Sequence, residues 1–152
     1  MFSTNQSIEA VLLLEFSGQQ SLEDHQLVIA QWDKKLLQEQ PFIAIRIYHD
    51  AQSLIHSQGA GKLTRAWLKD SAAIKIQHLV SAMINIVPGA SYDAMKHMSV
   101  EAVFKVPGGI FKDTDDAIAW LQSNVDVCNK HGIAIEHIVQ ALNARAESEQ
   151  LI

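Results

Sequence analysis

Within one short stretch the chain gathers Asp50, Ser53, His56, Ser57, Gly59, Gly61 and Lys62. This is a carboxylate, two hydroxyls, an imidazole, two glycines and an ammonium. A helix is expected to begin at about Ala60, so its free N–H groups and the positive end of its dipole would face the Ser57–Gly61 turn. The chemistry on offer is anion handling. A phosphate on Ser57 would lie among the N–H groups of Gly59 to Gly61, with Lys62 close by. The plainer reading makes Ser57 a cap or turn residue and His56 a solvated neighbour.

Other chemistries fall short on spacing. Gly59-Ala60-Gly61-Lys62-Leu63-Thr64 resembles part of a phosphate-binding loop, but His56 stands where the first glycine is needed. Leu63 replaces the Ser/Thr that would hold magnesium. Tyr92 and Lys96 have the spacing of a dehydrogenase pair, yet Ser17-Gly18-Gln19-Gln20 is not a dinucleotide turn. The seven histidines include no i, i+4 pair and Cys128 is the sole cysteine, so no metal site and no cofactor is expected. No G-x-S-x-G elbow occurs. The expectation is a protein that is not an enzyme.

The elements that must position the loop follow from periodicity. Phe42, Ala44, Ile45 and Ile47, after Pro41, are short, apolar and rich in β-branched residues, which predicts a buried strand feeding the loop. Ala10 to Phe16 predicts a first, central strand. Ser21 caps a helix with Asp24 as the capping-box acid, and Leu22, His25, Ile29, Trp32 and Leu36 form its stripe. Past the loop, Leu63, Ala66 and Trp67 continue a helix that fades near Lys75. His78 to Val87 predicts a third strand, stopped by Pro88-Gly89. Ser91 caps a short helix to about Met98, and the stretch to Lys105 has no clear period. Gly109 to Phe111 reads as a very short strand. Asp113 or Thr114 caps a helix with the stripe Ile118, Leu121, Val125 and Cys128, closing at Lys130, His131 and Gly132. Ile133 to about Gln150 is a last amphipathic helix. The alternation predicts a single α/β layer, a mostly parallel sheet of about four strands with helices packed on it.

Length and composition agree. A chain of 152 residues fits one domain with a core over about residues 9–130 and an added helix over 133–150. Charged residues make up 19%, below the roughly 25% of an average soluble domain, which leaves room for a sheet covered on both faces. A formal charge of −5 and a pI near 5.7 offer no footprint for nucleic acid. No apolar run approaches the roughly 18 residues of a membrane span, and the opening MFSTNQSIEA lacks the pattern of a signal peptide. The expectation is a cytoplasmic protein.

Asp50 at a strand end, followed by His56-Ser57-Gln58-Gly59 before a helix, resembles the STAS domain of sulphate transporters and anti-sigma-factor antagonists. In that family an Asp-Ser-x-Gly turn presents a phosphorylatable serine. Asn85-Ile86-Val87-Pro88 and the closing Phe111–Leu121 segment extend the resemblance, and the latter is also similar to small SpoIIAA-like bacterial proteins. His56 takes the place of the family's aspartate. The resemblance implies a regulatory or protein-interaction module switched at Ser57, with a protein partner. STAS-like folds are also similar to lipid-carrying folds, so the second expectation is a small apolar ligand, in a pocket lined by Trp67, Trp120 and the methionines. Ile135, Ile138, Val139 and Leu142 form a stripe that predicts a homodimer through the last helix.

Overall fold

Three near-continuous apolar runs, the pattern of strands buried on both faces, form the centre of a five-stranded sheet: β2 (Val11–Phe16), β3 (Phe42–Tyr48) and β4 (Val80–Ile86). The computed structural model describes residues 2–5, 10–129 and 132–150. The strand order is β1-β2-β3-β4-β5. β1 (Phe2–Asn5) pairs antiparallel with β2, and all later pairs are parallel, ending with the short β5 (Gly108–Phe111). The edge strand β1 is the fifth, beyond the four expected. A bulge where the pairing moves from Phe42↔Val80 to Ile43↔Ala82 leaves Ser81 as the extra residue of β4.

Winding in one direction places every right-handed crossover on the same side of the sheet. α1 (Leu22–Leu36) carries Trp32 and Leu36 into that side, against Leu12, Leu14, Phe42 and Ala44. Its capping box is closed by Ser21 and Asp24 as expected. α2 (Ala60–Trp67) and α3 (Ala73–Leu79) are joined by a π-type turn over Leu68–Ala72, kinked at Ser71 (φ 124°, ψ −18°). That backbone conformation is costly for a non-glycine residue. Beyond the kink the helical path runs on to Leu79, past the predicted fade at Lys75. α4 (Gly89–Met95) starts at Pro88 rather than at a Ser91 cap, with the Ser91 and Tyr92 amides both donating to the Pro88 carbonyl. α5 (Val100–Phe104), capped by Ser99, fills the stretch without a clear period.

The opposite face is covered by the helices C-terminal to β5. α6 (Thr114–Ser123), capped by Asp113, ends at Asn124 and gives way to α7 (Val125–Asn129), and α8 (Ile135–Gln150) is the last described element. The predicted closing residues Lys130 and His131, and the Cys128 side chain, lie outside the described residues. Ala117, Ile118 and Leu121 of α6 pack with Ile135, Ile138 and Leu142 of α8 on Ile43, Ile45, Ala82 and Ile84. Ile138 and Leu142 are 1% and 2% exposed. The stripe read as a surplus for dimerisation is thus used inside the chain, because a one-way winding has no crossover helix for this face.

Candidate functional site

At the carboxyl end of β3, Asp50 extends its side chain across to the preceding loop. Its two oxygens accept from the Gly18 amide at 3.1 and 2.9 Å, and Oδ1 also accepts from the Ser53 amide at 2.8 Å. The Gly18 and Ser53 amides hold its carboxyl below the ordinary aspartate range. Asp50 therefore clamps two loops and caps the 3₁₀ turn Ala51–Leu54, in which Ser53 is buried. The chain then crosses Ile55–Gln58 and enters α2 through Gly59, whose φ of 90° suits glycine. No side chain caps α2. Ser57 contributes only its carbonyl, which accepts from the Ala60 amide at 3.1 Å. Its hydroxyl is buried without a hydrogen-bond partner. His56, Gly61 and Lys62 are exposed.

Beneath this loop lies a cavity of about 540 Å³. It occupies the crossover face at the carboxyl ends of the parallel strands. Phe16, Tyr48, Val87 and Ile110 form its floor. His25 and Val28 of α1 and Ala60, Gly61, Thr64 and Arg65 of α2 form one wall, and Met95, Met98, Val100, Val103 and Phe104 the other. Ser57 and His56 close it from the loop. Phe16 and Tyr48 stack at 4.8 Å. The His25 ring lies 2.7 Å from the Thr64 hydroxyl, and burial followed by the nearby His56 lowers its pKa.

Two polar side chains rise from the floor. Alternation along β3 and β4 puts Arg46 and Asn85, register partners on adjacent strands, on the cavity side. Arg46 Nε donates to Asn85 Oδ1 at 2.7 Å, NH2 approaches Met83 Sδ at 3.4 Å, and the guanidinium sits 5.5 Å from the Phe104 ring centre. Asn85 Nδ2 donates to the Gly109 carbonyl at 3.4 Å. Sequence reasoning passes over both. The available signal is a charged residue inside a strand that has no face toward water.

The structure brings His56, Ser57 and Gly61 to the cavity and leaves Lys62 and the tryptophans outside its lining. Trp67 packs edge-on against Trp32 at 6.0 Å and donates from Nε1 to Asp33 at 2.7 Å. Trp120 lies on the other side of the sheet, 6.1 Å from Phe111. The predicted pocket tryptophans are thus packing residues, because their helical positions face neighbouring helices or the α8 side. Of the methionines, Met95 and Met98 do line the cavity.

A second polar cluster fastens α8 to the sheet. Glu15 of β2 accepts from Arg145 Nε at 2.8 Å and from its NH2, and the His49 ring lies 2.9 Å away. Burial works against the Glu15 carboxylate, but Arg145 and His49 outweigh it and hold its pKa below the ordinary value. Among the described residues no group of three or more His, Cys, Asp and Glu is placed to hold a metal, and no helix is long and apolar enough to cross a membrane. Compared with protein-family models, with curated proteins and with solved structures, the chain matches none.

Proposed function

We propose that this chain is a non-enzymatic, STAS-like binding module that takes a small, largely apolar molecule into the cavity beneath the Ser57 loop. The observation that carries this reading is the cavity itself. Its volume falls within the roughly 300–1,000 Å³ of small-molecule sites, its exposed lining is mostly apolar, and two polar side chains, Arg46 and Asn85, rise together from its floor. The position of Asp50 at the end of β3, with the loop opening α2, supports the STAS-like assignment. Native mass spectrometry of the purified protein tests the function, with a panel of small apolar compounds added to any apo fraction. A bound small molecule, or uptake from the panel, is the expected result. A clean apo mass with no uptake would overturn the reading.

A protein contact at the same loop is the second reading, and a specific feature favours it. Ile55, Met98 and Val103 are 54%, 55% and 64% exposed, an apolar surface around the cavity and loop. Such a surface suits a partner that senses the loop. Binding of a captured partner that is unchanged between wild type and Ser57→Asp would remove Ser57 as its switch.

A further inference from the structure

We infer that the ligand of this cavity is an anion, an apolar body ending in a carboxylate or phosphate that pairs with Arg46; this rests on the ligand-binding reading above. The chain as a whole is acidic, with 17 Asp and Glu against 12 Lys and Arg. Yet among the described residues no Asp or Glu lines the cavity, whereas the two cations Arg46 and Arg65 both do. The segregation of charge is the reverse of what the composition alone would distribute.

Arg46 is the pointed case. It stands mid-strand and half-buried on the cavity floor, near Phe104 and Met83, where a partly desolvated charge gains from a counter-ion. Its contacts are the amide oxygen of Asn85, a thioether sulfur and a ring face, and it has no carboxylate partner among the described residues. Asn85, held by the Gly109 carbonyl, fixes Nε and so sets the plane of the guanidinium. A planar fork with donors remaining is suited to a bidentate carboxylate or phosphate. The buried Ser57 hydroxyl without a partner is a further donor on the same cavity. The apolar remainder of the lining, including Met95, Met98 and Val100, would take the body of the ligand.

The test is a head-group series on one chain length: decanoate, decyl phosphate, decanol and decyltrimethylammonium, titrated by calorimetry into wild type, Arg46→Met and Arg46→Lys. The expected result is that an anionic head binds wild type roughly ten- to a hundredfold more tightly than decanol, the size of a charge-assisted hydrogen bond. Arg46→Met should lose that advantage while still taking up decanol, and Arg46→Lys should keep part of it. Which of carboxylate and phosphate binds more tightly names the head group. If decanol or the ammonium binds wild type as well as the anions do, or Arg46→Met holds decanoate unchanged, the anion inference fails and the apolar cavity stands. If no member of the series binds, the ligand-binding reading fails with it. The wild-type series decides the matter even if Arg46→Met does not fold.

Discussion

Replacing Arg145 with Met removes the guanidinium that holds α8 to β2 while keeping a side chain of similar length. The two partners retain 14% and 23% of their side-chain exposure, between a surface pair and a buried one. Surface pairs contribute about 0–1 kcal/mol, and breaking a fully buried pair costs about 3–5 kcal/mol. This placement argues for a loss of about 1–2 kcal/mol at neutral pH. The pH dependence follows from the direction of the Glu15 shift. Its folded pKa lies below the unfolded value of about 4.3, so its stabilisation is present above the unfolded value and lost as pH falls through the folded one. Urea unfolding of wild type, Arg145→Met, Glu15→Gln and the double variant, at neutral and acid pH, measures both effects. The gap between wild type and Arg145→Met should narrow in acid, and the double variant should cost less than the two singles together. A gap independent of pH, or strict additivity, would refute the argument.

Ser57→Ala should leave stability unchanged or slightly raised in a urea melt, because the hydroxyl has no partner to lose; a capping serine would instead cost about 1 kcal/mol. Gly108→Ala should destabilise by about 1–3 kcal/mol or more, since a Cβ there would lie 2.0 Å from the Met83 carbonyl oxygen; faster amide exchange along β4 and β5 is the readout. Trp67→Phe should cost about 0.5–1.5 kcal/mol through the lost bond to Asp33 and leave uptake of an apolar ligand unaltered, as followed by calorimetry. Deleting residues 133–152 should remove the α8 part of the cover over Ile43, Ile45 and Ile84, namely Ile135, Ile138 and Leu142, giving a chain that binds a hydrophobic dye and melts at lower temperature with less cooperativity. A folded, dye-free truncated monomer would show that α8 is dispensable to the core.

Much of the fold is legible because periodicity and capping are local. Ser21 with Asp24, Asp113 before α6 and the apolar runs of β2 and β3 each declare their element within a few residues. Boundaries at Leu79 and Ser91 shift because backbone rather than side chains decides them: the helical path continues past the kink at Ser71, and the Pro88 carbonyl, not a Ser91 hydroxyl, starts the next helix. β1 is four residues of ordinary polarity, and only its pairing with β2 makes it a strand. The loop at Ser57 is visible as a cluster of chemistry, but its direction is not. The spacing of Ser57, Gly59 and Gly61 suggests a hydroxyl offered outward at a helix start, whereas the structure turns it inward and leaves the cap to Gly59. Arg46 and Asn85 come together across strands 39 residues apart in sequence, a juxtaposition that requires the β3–β4 register.

The one-way winding of the sheet also sets an order of events during synthesis. When β5 leaves the ribosome, every strand is made and the crossover face has its helices. The opposite face, with Ile43, Ile45 and Ile84, is still bare. Residues 114–150 emerge at roughly 5–20 per second, so a nascent sheet spends seconds with one greasy side open to chaperones.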